Sequence, residues 1–161
     1  MVTVAPALLD TLMSATEEVF DTMLNLPLGR RPIVTGPLET PVNVVATVAF
    51  AGYRRGLVVV YTTLPAARII TGSMLGLAAE DVNGEVPDAM GEIANMVAGT
   101  FRNRLTTTEP PSDISVPTVT IGTDFSTLYS SSAQRARCPF TMQDESLSVE
   151  LILIGEPGLP A

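Results

Sequence analysis

The chain has 161 residues, 46% of them hydrophobic and 16% charged, with a net charge of −8; this is the length of one domain and too apolar for disorder. It contains no histidine, one cysteine and nine basic residues, all arginine, which excludes imidazole bases, Ser-His and Cys-His pairs, histidine metal sites, lysine Schiff bases, P-loops and internal disulfides. An acidic chain whose arginines fall in pairs (Arg30/Arg31, Arg54/Arg55, Arg135/Arg137) lacks the basic stripe that nucleic acid or anionic lipid requires.

The N-terminus, Met1 to Pro6, has no basic start and no signal-like cleavage region. The longest apolar runs, around Val42–Gly52 and Gly56–Tyr61, fall short of the roughly 20 residues a membrane helix needs. A soluble cytoplasmic protein with no membrane partner is the expectation. From Ala5 to Leu26, Leu8, Leu9, Leu12, Val19, Met23 and Leu26 recur at mostly helical spacing, which predicts an amphipathic helix ended by Pro27. Residues 27–41 hold four prolines and two glycines and read as a connector with at most a short edge strand. Val42–Ala51 and Gly56–Thr62, joined by a Gly-Tyr-Arg-Arg loop, predict a β-hairpin. Pro65 opens a second helix, Ala66 to about Leu75, and Gly76 stops it.

A third helix carries two stripes. Met90, Ile93, Val97, Phe101 and Leu105 form its apolar face, and Asp88, Glu92, Asn95, Gly99 and Arg102 form the other; both rows follow the 3.6-residue period. Asp88, just after Pro87, favours the helix N-terminus. Beyond a polar loop, Thr106–Ser115, the chain turns β-rich: Val116–Ile121, Ser126–Ser131, Arg137–Met142 and Leu147–Ile154 predict strands, the last with both faces covered toward its end. Cys138 reads as a packed strand thiol, and residues 155–161 as a flexible tail. The elements make an α+β protein, taken as one domain over residues 1–161.

Once other chemistries are excluded, carboxylates, amides, hydroxyls and arginine remain. The polar stripe is either a solvated helix face or a contact site. Asparagine is a poor choice inside a helix because its amide competes for backbone groups. A glycine at position 99, one turn on, costs about 1 kcal/mol against alanine and removes bulk beside Asn95. Two unfavourable choices along one face favour a contact site.

Here the residues resemble a family. Asp88, Glu92 and Asn95, then twenty-one intervening residues and Pro117, match the pattern Asp/Ser-x-x-x-Glu-x-x-Asn followed by a distant proline. That pattern is the signature of the CheC/CheX/FliY phosphatases of bacterial chemotaxis. Gly91-Glu92-Ile93-Ala94-Asn95-Met96-Val97-Ala98-Gly99 is similar to the CheX core, and Val116-Pro117-Thr118-Val119 with Gly122 to its following strand. Gly56-Leu57-Val58-Val59 and Ser73-Met74-Leu75-Gly76 also fit, so the likeness runs from about Leu38 to Val149. CheC-like members repeat the signature on a second helix. The first helix here keeps Ser14 and Glu18 but has Asp21 in place of the asparagine, so the single-site CheX branch fits better, and the sequence leaves open whether so short a match is a decayed second site or a chance likeness.

The resemblance implies a two-layer sandwich: a mostly antiparallel sheet with long helices on one face. It implies a protein phosphatase that hydrolyses the aspartyl phosphate of a CheY-like response regulator, with Asn95 placing the attacking water and Glu92 pairing with the regulator's lysine. Asp88, Gly99 and Arg102 would then be partner contacts, and Pro117 a structural marker of the supporting strand. Mg²⁺ would come with the regulator, this chain binding no metal, and a homodimer joined through the sheets is expected. The rival reading is a non-catalytic adaptor or scaffold that docks on a regulator or flagellar-switch protein.

Overall fold

A computed structural model of the chain describes residues 3–38, 41–123, 125 and 132–158. The predicted strand Ser126–Ser131 lies outside these residues. Among the described residues, three α-helices, α1 (Pro6–Val19), α2 (Leu64–Leu75) and α3 (Val86–Leu105), cover one face of a seven-stranded antiparallel sheet. The strands are β1 (Gly29–Arg30), β2 (Val44–Gly52), β3 (Gly56–Thr62), β4 (Ser112–Ile114), β5 (Thr118–Ile121), β6 (Gln134–Met142) and β7 (Glu145–Leu153). They run in the order β1-β6-β7-β3-β2, and β4 and β5 both pair with the free edge of β2. The fold is α+β, as the sequence predicts.

Period-two alternation builds the core. Val44, Ala46, Val48 and Phe50 of β2, Val58 and Val60 of β3, Leu147, Val149 and Leu151 of β7, and Ala136, Cys138, Phe140 and Met142 of β6 all point toward the helices and are buried. The helices answer with Leu8, Leu12 and Val19 of α1, Ala67 and Ile70 of α2, and Met90, Ile93, Val97 and Phe101 of α3. The α3 residues are the predicted apolar face, except that Leu105 at its end is only partly buried.

The helix ends show local chemistry. The first helix stops short of Leu26: after Val19 it widens into a single π-type turn, Phe20–Leu24, and Asn25 closes it in the left-handed conformation at φ 51°. Thr63 caps α2, its Oγ1 accepting from Ala66 N–H at 3.2 Å, and Gly76 ends that helix at φ 70°. In α3, Asp88 lies in the first turn and Arg102 and Arg104 in the last, each favourable to the helix dipole.

The other face of the sheet is covered as well. Val42, Val59, Tyr61 and Ile152 form a second buried cluster, with Leu38, Val45, Leu57, Phe125 and Ala133 packed on it. The connector supplies part of that cover. Val34 exchanges backbone hydrogen bonds with Arg137 at 2.9 and 2.8 Å, and the buried Arg137 guanidinium donates to the carbonyls of Gly36 and Pro37 at 3.2 and 3.0 Å. Beside it, Tyr61 donates its hydroxyl to the buried Glu150 at 2.7 Å. Arg137 is therefore an interior clamp rather than a solvated edge charge. At the C-terminal end, Gly158 N–H donates to the Tyr53 carbonyl at 2.7 Å.

Candidate functional site

The site is built where α3 crosses the edge of the sheet. Phe50 of β2 pairs with Ile114 of β4, and Thr47 pairs with Thr118 of β5. Between these pairs, two residues of β2 (Val48, Ala49) face three of the opposing chain (Ser115, Val116, Pro117), which is a β-bulge. Pro117 has no N–H to give a ladder, so it fits only at such a break on an edge. The sequence predicts a loop through residues 112–115, where the structure has β4 and the start of the bulge. A strand pair interrupted by a bulge lacks the unbroken alternation that marks a strand, although a proline inside an apolar strand pattern was a usable signal.

The bulge lets Ile114, Pro117 and Val119 all reach α3. A Cβ on Gly91 would lie 3.3 Å from Pro117 Cγ and 3.4 Å from Val119 Cγ2, and one on Gly99 would lie 3.8 Å from Ile114 Cδ1. Gly91 and Gly99 stand one turn to either side of Asn95 on the same row of the helix, so Asn95 faces the bulge. Its side chain is half-buried, and its Oδ1 is buried with no hydrogen-bond partner. An unpartnered buried carbonyl costs about 1–3 kcal/mol, and no group among the described residues satisfies this one.

Glu92 stands on the adjoining, exposed side of the helix and forms no hydrogen bond or ion pair among the described residues. With Asp88, also exposed, it borders a hollow of about 350 Å³ between α2 and the start of α3, lined too by Met74, Leu75, Gly84, Glu85 and Ala89. Arg102 is half-buried, and its guanidinium donates to Asn103 Oδ1 at 3.3 and 3.2 Å. Ten residues from Glu92, it sits about 15 Å along the axis. Asp88, Glu92, Asn95, Gly99 and Arg102 thus run along α3 over about 21 Å, with Glu92 and Asn95 about 4.5 Å apart along the axis and Arg102 less than one turn beyond Gly99.

The matching residues of the first helix are spent on the fold itself. Ser14 Oγ accepts from Arg30 Nη2 at 3.2 Å, and Glu18 is ion-paired with Arg104 of α3 at 2.5 Å. Arg30, bonded to Glu17 and Asp10, is held still more firmly protonated by those two carboxylates, Glu17 foremost. Cys138 is buried, and burial pushes its thiol up to about 11, so it is not a nucleophile.

Chemically, the pair offers an unpaired carboxylate for a cation and, one turn on, an amide that donates and accepts without ionising. Among the described residues no three histidine, cysteine, aspartate or glutamate side chains gather to hold a metal ion, and no described helix is long and apolar enough to cross a membrane. An arrangement of this kind can order a water or a polar group.

Comparison with known proteins gives the family and the fold. The family described as "Chemotaxis phosphatase CheX" matches residues 44–141, more than half of the chain. No curated protein sequence matches. Among solved structures, a CheC-like superfamily protein from Shewanella sp. PV-4 is similar, at TM-score 0.85 and 22% identity over 94% of this chain and 100% of that one. Chemotaxis protein CheX from Vibrio vulnificus is similar at TM-score 0.81 and 23% identity, over 91% and 99% of the two chains. CheX from Borrelia burgdorferi, solved in complex with CheY, BeF₃ and Mg²⁺, is similar at TM-score 0.79 and 18% identity, over 91% and 97%. The matched stretch holds Asp88, Glu92, Asn95 and Pro117, and the chain belongs to the CheX family of chemotaxis phosphatases.

Proposed function

We propose that this protein hydrolyses the aspartyl phosphate of a CheY-like response regulator, ending its signal. The observation that carries the reading is the buried, unpartnered Asn95 Oδ1 one turn from the unpaired, exposed Glu92. Glu92 pairs with a lysine of the docked regulator and fixes the register of α3 on it. On docking, the Asn95 side chain turns outward to stand beside the phosphoryl group, and its Oδ1 accepts from the attacking water and aligns it. The new P–O bond forms to water as the acyl P–O bond breaks, releasing inorganic phosphate and restoring the aspartate. The role parallels the water-positioning glutamine of GTPases. A carboxylate in this position, such as Asp21 on the first helix, would set negative charge against the phosphoryl oxygens.

Asp88 and Gly99 border the contact, and Arg102 touches the regulator's periphery. The regulator brings Mg²⁺ to neutralise phosphoryl charge. In this reading the whole chain works as one domain, in the cytoplasm and as a homodimer, as the family resemblance implies. The test is release of inorganic phosphate from a CheY-like regulator charged with acetyl phosphate in Mg²⁺. Acceleration by catalytic amounts of the protein is the expected result. Stable binding of charged regulators without acceleration would instead make the chain an adaptor.

A further inference from the structure

The bulge beside Asn95 hangs on one hydroxyl. Ser115 N–H donates to the Ala49 carbonyl at 2.8 Å, but Ala49 N–H donates to Ser115 Oγ, at 2.9 Å, rather than to a backbone carbonyl. The same Oγ donates to the Val116 carbonyl at 2.9 Å. The hydroxyl is thus inserted between a strand donor and a strand acceptor, and it satisfies both while the extra residue stands out from the ladder. Val116, 84% exposed, is the residue thrust outward.

This insertion decides which side chains meet α3. In an unbroken strand, residues 114 and 117 point to opposite faces. With one extra residue, Ile114 and Pro117 share a face and touch the helix at Gly99 and Gly91, one turn to either side of Asn95. We propose that Ser115 is a positioning residue for Asn95: its hydroxyl holds the bulge open, and the bulge sets the wall against which the carboxamide stands. The inference rests on the reading of Asn95 as the residue that orients water, but its structural half is testable without a regulator.

The experiment compares wild type, Ser115→Ala, Ser115→Thr and Ser115→Cys in two measurements. The first is the NMR resonances of the Asn95 side-chain amide, identified by their loss in Asn95→Asp. The second is steady-state phosphate release from a CheY-like regulator charged with acetyl phosphate. Ser115→Ala is expected to move the Asn95 resonances and lower kcat about tenfold or more while KM stays within about twofold. Ser115→Thr, which keeps the hydroxyl, restores both. Ser115→Cys keeps the shape with weaker hydrogen bonds and falls between; it decides the matter if the alanine variant does not fold. Unmoved Asn95 resonances, a displacement that threonine fails to reverse, or a rise in KM with kcat intact would each overturn the proposal. If the wild type hydrolyses no regulator tested, the phosphatase reading fails and the resonances alone decide the role of Ser115.

Discussion

At the scale of single residues, the site is where the chain forgoes stability. Asn95 buries an oxygen with no partner, and Gly99 leaves a helix interior without a side chain although a Cβ there would meet only Ile114 Cδ1, at an ordinary 3.8 Å. Gly99→Ala is therefore expected to raise unfolding stability by about 0.5–1 kcal/mol in urea while weakening association with a charged regulator. A variant both more stable and equally good at binding would remove Gly99 from the contact. Cys138 behaves oppositely, as a residue that only the fold uses. Its thiol shifts from 9.0 to about 11 because burial disfavours the thiolate. Between those values the unfolded chain has lost the proton that the folded chain keeps, so stability falls as pH rises. Cys138→Ala should flatten that part of the alkaline limb in pH-dependent urea melts, and an unchanged slope would contradict the assignment. The placement of Glu92, Asn95 and Gly99 along one helix was legible in the sequence because their spacing is local. That one amide oxygen lacks a partner was not, since it depends on what the far strand fails to offer.

At the scale of elements, the contact of α3 with the bulged edge strand holds the site together, and two glycines of one helix report on it with opposite sign. At Gly91 a Cβ would press on Pro117 Cγ at 3.3 Å and Val119 Cγ2 at 3.4 Å. Pushing the helix off the strand costs about 1–3 kcal/mol, which outweighs the gain in helix propensity. Gly91→Ala is thus expected to lower the urea midpoint where Gly99→Ala raises it, and equal signs for the two would show that the helix is not seated on Pro117. The hairpin of β2 and β3 and the period of α3 were readable because each is set by its own residues. The break between β4 and β5 was not, because its signature is a missing alternation that a loop shares. The early end of the first helix escaped for a similar reason: Pro27 announces a stop, but Asn25 makes it, by entering the left-handed region two residues sooner.

At the scale of the whole molecule, the second covered face of the sheet was only partly foreseen. The apolar residues on both sides of β7 pointed to it, whereas the clamp of Arg137 on the carbonyls of Gly36 and Pro37 joins segments about a hundred residues apart and leaves no local pattern. The two faces divide the labour. One packs the helices that carry Glu92 and Asn95, and the other ties the connector down behind β6 and β7. With a net charge of −8, the protein has little long-range attraction for an acidic partner, so under the proposed function recognition would fall to the local pair at Glu92 and to shape. The central claim is that one amide does the chemistry by placing water. Its most direct test is single-turnover phosphate release from a charged CheY-like regulator by wild type and Asn95→Ala, with regulator binding and urea stability measured in parallel. The account predicts a rate loss of about 10²-fold or more, with binding kept and stability undiminished. An Asn95→Ala protein that releases phosphate as fast as wild type would contradict it.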